Sequence, residues 1–465
     1  MKNDLIDLNY HKKLNEIVEK LSISLSNNYN NFNFADAIKR DIHASARKSD
    51  QLRNFYYDIS KKRTKKSYVF YNQLSLFLAE EIKKKFKIKS TLTYESSYKE
   101  KVYQKIFFSY EIIQSFKKKI FNSKNILFIT HNSKHEEYLK SIFGKNKKFY
   151  YFSTKNLKNY FLSKKDYPYF VSKKNFYLNK YIKFLNNLDF LTKQYKPKSI
   201  ITVEGDNYFD GIIPSFCKNK NIKTICLQWG ITAPLIRYIK DSKFGYKDYF
   251  KHDYYFSWGK IFTDELKKYN SNINFIEVGN PKIKKHTQKK KHICVIDCGI
   301  SKYDENNVDI YIRFFKFIKI CALSNKQIYF YIRLKNNYKN KEKRILGDLK
   351  KIKNIKYVSD TADLGSILNK VKIVISTTST ALIEGLASKC IPVAYPGTSY
   401  LKWFKNFNKM KLGSVIKNEA QGLKMIEKLY SNNDNTFFKY NKKIVKFIDN
   451  SAKKKILKYV KDLVK

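Results

Sequence analysis

The sequence predicts two α/β domains, each built on a parallel, doubly wound sheet, preceded by a helical N-terminal region. Three observations predict this. Short apolar runs without alternation, such as ILFIT (126–130), SIITV (199–203) and TICLQ (224–228), read as strands buried on both faces. Amphipathic helical stretches alternate with those runs. A basic stretch with almost no apolar content, KIKKHTQKKKH (Lys282 to His292), divides the series into two halves.

Met1 to about Lys119 is helical in pattern and rich in charge. Its helices include Asn15 to Leu25 and Gln73 to Phe86, and the polar run Asn27 to Asn33 separates the early ones. No chemical signature stands in this region. From Asn125 the rhythm changes to strand and helix in turn. The strand Ile126 to Thr130 is followed by a helix from about His135, the strand Phe149 to Phe152, and the helix Tyr177 to Tyr195. The strand Ser199 to Val203, the helix Asp210 to Lys220 and the strand Thr224 to Gln228 come next, then short strands at Tyr254 to Trp258 and Phe275 to Val278.

Past the basic stretch a second alternating series opens with the strand Ile293 to Asp297 and the helix Val308 to Leu323. It continues with the strand Ile328 to Leu334, the helix Glu342 to Lys353, the strand Lys356 to Val358 and the helix Leu364 to Asn369. The segment VKIVISTTSTALIEGLASKCIPVAYP (371–396) then gives a buried strand, a hydroxyl-rich turn (Ser376 to Thr380), a helix (Ala381 to Ser388) and another strand (Ile391 to Tyr395). The tail, Lys442 to Lys465, reads as a basic amphipathic helix. The domains expected are therefore 1–119, 120–284 and 285–441, with the tail helix at 442–465.

Composition bounds the function. At 465 residues, 43% apolar and 16% aromatic, the chain has ample core for several domains, which excludes wholesale disorder. Six scattered cysteines lack metal-ligand spacing and suit reduced core thiols, and no signal peptide or bilayer-length apolar run is present. A cytoplasmic protein is expected. The net charge of +54 is spread along the whole chain together with heavy use of Asn, Ile, Tyr and Phe, as A/T-rich codon usage produces. Its field still attracts phosphate, anionic lipid and nucleic acid.

Ligands of open α/β sheets bind beyond the carboxyl ends of the strands, so residues there are the candidates. In the turn after the strand at 373–375, Thr378, Ser379 and Thr380 precede a helix whose first N–H groups and dipole suit a phosphate. Glu384, about one turn in, can accept from ribose hydroxyls. An ordinary crossover with Ser379 as helix cap accounts for the same residues. Arg333 and Lys335 close another strand on one face, and two cations there can grip a diphosphate. Glu204 and Asp206 follow SIITV and can supply a general base, or equally a helix cap or a salt bridge. His131 is a second candidate base. Gln228, Trp229 and Gly230 end the TICLQ strand, with Trp229 able to stack on a sugar ring and Gly230 permitting a tight turn. One carboxylate pair without a third ligand makes a poor metal site, so no metal is expected.

The order ITVEGD, KNKNIKTICLQWG, DYYFSWGK, IEVGNP, YIRLK and DLGSILNKVKIVISTTSTALIEGLASKCIPVAYPG resembles the two-domain GT-B glycosyltransferases, above all the bacterial group that builds capsule and other surface polysaccharides. The resemblance runs from about Asn125 to the C-terminus. It implies two Rossmann-like domains facing a cleft and a nucleotide-sugar substrate with no further cofactor. The donor site it implies is a Ser/Thr turn at Ser379 and Thr380, a ribose contact at Glu384, and diphosphate contacts at Arg333 and Lys335. Trp229 stands where related glycerophosphate and sialic acid transferases carry histidine, and their His–Pro pair near Arg333 is also missing, which sets this chain apart from both branches. The acceptor implied is a glycan or lipid-linked hydroxyl, with peripheral contact at the anionic inner face of a membrane. A sugar-nucleotide epimerase of the same architecture is the alternative enzyme. A basic nucleic-acid-binding protein is the alternative class, and it is disfavoured because the charge is dispersed without a recognition signature.

Overall fold

The computed structural model describes Glu16 and residues 50–60, 62–70, 73–94, 125–146, 148–156, 176–205, 209–230, 251–268, 270, 272–282, 291–297, 305–334, 349–359, 362–377, 379–395, 407, 412–416, 418–431 and 451–464. The chain begins with helix α1 (Asp50–Ser60), strand β1 (Ser67–Phe70), helix α2 (Gln73–Phe86) and strand β2 (Thr91–Tyr94), and β1 pairs parallel with β2. The helical pattern of this region carries no sign of the two strands. These two strands are short, four residues each, and exposed on alternate positions, so no continuous apolar run announces them. Of the helix expected at 15–25, only Glu16 lies within the described residues.

The first large sheet comprises β3 (Ile126–Thr130), β4 (Phe149–Ser153), β5 (Ser199–Val203), β6 (Lys223–Leu227), β7 (Tyr254–Ser257) and β8 (Asn274–Glu277), in the spatial order β4-β3-β5-β6-β7-β8. Every pairing in it is parallel. Helices α3 (Ser133–Phe143), α4 (Phe176–Tyr195), α5 (Ile212–Lys218) and α6 (Lys260–Lys267) connect the strands. Alternation along β3 and β5 sends Leu127, Ile129 and Ile200 into one core with α1, α2 and α4, and Ile126, Phe128, Ile201 and Val203 into another on the opposite face. Burial on both faces is what the unbroken apolar runs foretold.

The second sheet, again wholly parallel, has the order β11-β10-β9-β12-β13-β14. Its strands are β9 (His292–Ile296), β10 (Phe330–Arg333), β11 (Ile355–Val358), β12 (Val371–Ser376), β13 (Ile391–Ala394) and β14 (Ser414–Val415). In sequence terms that is the order 3-2-1-4-5-6 of dinucleotide-binding Rossmann domains. Helices α7 (Glu305–Ser324) and α10 (Glu419–Ser431) share one core with it, and α8 (Leu364–Leu368) and α9 (Thr380–Ala387) share the other. A register shift between Val371 and Ile373 places these two residues, two apart, in opposite cores. The helix expected over 342–353 falls largely outside the described residues, and its end, Leu349–Lys351, is a single 3₁₀ turn.

The chain is thus α/β with two Rossmann-like domains. Trp258 and Phe262, from the end of the first sheet, share a core with Ile296, Leu382 and Leu386 of the second, so the two lobes touch there. The last helix, α11 (Ala452–Val464), returns to the first lobe and inserts Ile456, Val460 and Val464 beside Ile126, Phe128 and Tyr138. Among the described residues no helix is long and apolar enough to cross a membrane.

Candidate functional site

Each sheet has one place where chain order reverses, and in open α/β sheets the rim beyond the strand ends there is where ligands bind. In the first sheet it lies between β3 and β5; in the second, between β9 and β12. The described candidate residues lie along these two rims.

His131 follows β3 directly. Its Nε2 lies 2.9 Å from Oδ1 of Asp210, which is fully buried, and its Nδ1 lies 3.3 Å from the Thr154 hydroxyl. With Nε2–H donated to the carboxylate, Nδ1 keeps its lone pair and accepts from Thr154. Asn132 then caps α3 by accepting from the His135 N–H at 2.9 Å. That cap starts the helix so that His135 and Tyr138, three residues apart, share a face.

Glu204 ends β5 in a left-handed conformation, φ 75°, followed by Gly205 at φ 73°. Its N–H donates to the Leu227 carbonyl at 2.8 Å, so the sheet holds the backbone in that shape. The carboxylate comes within 3.7 Å of His135 Nε2, an ion pair whenever that ring is protonated. A side chain held in this conformation at a strand end is the kind of strain found where a group must be aimed. Asp206 lies outside the described residues.

The three residues after β6 divide in role. Gln228 is a bracket: its Oε1 accepts from the Trp258 N–H at 2.7 Å, its Nε2 donates to the Gly230 carbonyl at 3.1 Å, and its own carbonyl accepts from Trp258 Nε1 at 3.0 Å and from the Tyr138 hydroxyl at 3.2 Å. Its carboxamide is therefore engaged within the protein instead of facing a ligand, and Gly230 is buried beside it. Trp229 is half-buried, with ring centroids of His135 at 5.0 Å and Tyr138 at 5.1 Å edge-on. One face expected to receive a sugar is covered: the Lys282 ammonium sits 3.2 Å from the Trp229 centroid.

Lys282 joins the lobes. Its Nζ is 3.8 Å from Oε1 of Glu384 on α9. Burial pulls its pKa down, while Glu384 and Glu204 pull it back up. Tyr138, on the same spot, has its hydroxyl pushed upward chiefly by burial, with Glu384 adding to the effect.

On the second rim, Arg333, Ile296 and Ser376 stand in register across β10, β9 and β12, with Asp297 just beyond β9 and nearly buried. Ser376 Oγ donates to the Ile296 carbonyl at 2.6 Å and fixes the turn after β12. Ser379 is the N-cap of α9, accepting from the Ala381 N–H at 3.2 Å, and Thr380 opens the helix. The hydrogen bonds record the cap: the Ser379 hydroxyl takes the Ala381 N–H, and the Ser379 carbonyl takes the Leu382 N–H at 3.0 Å. Arg333 donates from Nη2 to the Ala362 carbonyl at 3.2 Å, tying down the loop before α8. The cation that faces Glu384 is thus Lys282. Lys335 and Thr378 lie outside the described residues.

His135, Tyr138, Asp210, Lys282 and Asp297 were not singled out by the sequence. His135 and Tyr138 had a faint signal, an i,i+3 spacing after a strand and an Asn cap; Lys282 is hidden in a chain with 94 Lys and Arg. Among the described residues no group of three or more His, Cys, Asp or Glu is placed to hold a metal ion.

No protein-family model and no curated protein matches the sequence. Solved structures resemble it at low identity. One described as a UDP-N-acetylglucosamine 2-epimerase from Listeria monocytogenes is 12% identical with TM-score 0.48, over 73% of this chain and 96% of that one. A glycosyltransferase from Rickettsia africae is 13% identical with TM-score 0.44, over 74% and 99%. A calicheamicin glycosyltransferase is 11% identical with TM-score 0.45, over 74% and 98%.

Proposed function

We propose that this chain is a nucleotide-sugar enzyme, a glycosyltransferase that moves a sugar from its nucleotide donor to a hydroxyl of a surface polysaccharide or lipid-linked glycan. The observation that carries the reading is the carboxylate pair across the two lobes, a strained Glu204 on one rim and Glu384 on the other, with Lys282 between them. The donor diphosphate would seat at the N-terminal end of α9 with Arg333 and Lys335 near it, Thr378, Ser379 and Thr380 lining the turn, and Glu384 accepting from the ribose. The acceptor hydroxyl would attack the anomeric carbon as the sugar–diphosphate bond breaks. Its proton passes to Glu204 or Asp206, or to Nδ1 of His131, which Asp210 holds in the right tautomer. The helix end and the two cations neutralise the leaving diphosphate, so the step needs no metal or other cofactor.

A second reading, sugar-nucleotide epimerase, has its own support. Such chemistry needs acids and histidines in one crevice, and His131, His135, Asp210 and Glu204 stand together on the first rim. Peripheral work at the inner face of a membrane fits the outward side of α11, where Lys453, Lys454, Lys458 and Lys461 are exposed beside Leu457 and Tyr459.

The test is to incubate purified protein with UDP-, GDP-, CMP- and CDP-linked sugars without acceptor and analyse the products. Slow release of free sugar and nucleotide is the result expected of the transferase; an isomerised donor supports the epimerase. If every donor is returned unchanged and unbound, the nucleotide-sugar reading fails.

A further inference from the structure

Lys282 plays no part in the chemistry assigned to the strand ends, yet it is the residue through which the lobes address each other. It is the first residue of the basic stretch that joins them. An ammonium is strongly hydrated, and removing that water is costly unless other groups replace it. Here the replacements come from both sides: the Trp229 ring at 3.2 Å, the Tyr138 ring at 5.1 Å, and the carboxylates of Glu384 and Glu204.

The 3.8 Å separation from Glu384 exceeds the length of a charge-assisted hydrogen bond. The pair is held by attraction between charges, with no shared proton to break. Glu384 also lies on the helix whose N-terminus is the anion seat. A diphosphate arriving there brings negative charge toward Glu384, and the two repel unless a cation goes to the newcomer. Lys282 is already in place and carries that charge on a flexible four-carbon stem.

We propose that Lys282 exchanges partners on ligand binding: it leaves Glu384 for the diphosphate of a nucleoside diphosphate, and Glu384 is thereby released to the ribose hydroxyls. The inference rests on the nucleotide-sugar reading above and adds a residue and an order of events to it. The exchange keeps the number of ion pairs constant. It also makes a nucleoside without phosphates a poor ligand, since nothing then draws Lys282 away from Glu384.

The experiment is equilibrium titration of the wild type and of Lys282→Met with UDP, GDP, CDP and ADP, and with the four matching nucleosides. For whichever base the protein takes, Lys282→Met should weaken the diphosphate by about tenfold or more and leave the nucleoside unchanged or tighter. Because the single change leaves two partly buried carboxylates without their cation, Lys282→Met combined with Glu384→Gln serves as the charge-balanced control for folding. It should fold like the wild type and lose at least as much affinity for the diphosphate, because the ribose contact of Glu384 goes together with the cation. Equal factors for nucleoside and diphosphate would mean that Lys282 is only a strut between the lobes, and the exchange is overturned. Undiminished diphosphate binding by Lys282→Met overturns it as well, with the nucleotide reading intact. If the wild type binds none of the four diphosphates, the nucleotide reading itself falls, and the exchange falls with it.

Discussion

Glu204 holds φ 75° at the end of β5, where a residue with a Cβ sacrifices about 1–2 kcal/mol relative to ordinary backbone. Glycine adopts the same conformation without that cost. Glu204→Gly should therefore be more stable than Glu204→Ala by about 1 kcal/mol, read as a difference in denaturant midpoint, while both lose turnover of the donor. Equal stability of the two variants would show that the strain is not real. At this scale the sequence revealed which strand ends matter but not which side chains meet there. Glu204 and His131 were visible because they follow unmistakable apolar runs. Asp210 and Lys282 were not, because each reaches its partner from a distant element: Asp210 binds a histidine 79 positions earlier, and Lys282 faces a carboxylate on the other lobe. Gln228 misled for the same reason, since only packing shows that its amide is spent on Trp258 and Gly230.

The elements around β12 and α9 depend on small residues at close approaches. A Cβ on Gly385 would lie 2.8 Å from Cγ2 of Val374, and one on Gly413 would lie 2.4 Å from the Pro392 carbonyl oxygen. Gly385→Ala should cost about 1–3 kcal/mol, and Val374→Ala in the same chain should recover part of it because the clash is with a side chain. Gly413→Ala meets backbone, so no side-chain truncation relieves it. Thermal melts of wild type, Gly385→Ala, Val374→Ala, the double variant and Gly413→Ala check this; full additivity of the Gly385 and Val374 changes would contradict the packing described. The strands of both sheets were legible because burial on two faces writes itself as unbroken apolar runs. Two-residue β14, and β1 with β2, have partners that supply their order, and no local pattern of their own. The 13 residues of α10 bury Gly422 and Ile426 with little apolar signal.

At the scale of the molecule, two parallel sheets present their carboxyl ends to each other, tied by the apolar contact around Trp258 and Phe262 and by the charge of Lys282. The doubling of the αβ pattern around a basic stretch was plain in the sequence. The resemblance implied that the lobes face each other; the side chains that meet between them were not legible, because they lie about a hundred positions apart, as Lys282 and Glu384 do. The large positive charge adds a general attraction for phosphate, but position and not charge decides what the crevice holds. The most direct measurement is calorimetric titration of wild type and Glu384→Ala with UDP-, GDP-, CDP- and CMP-linked sugars. The account predicts that at least one binds the wild type with a micromolar dissociation constant and that the alanine variant binds it about tenfold more weakly. Failure of all four to bind the wild type, or equal binding by the variant, would contradict it.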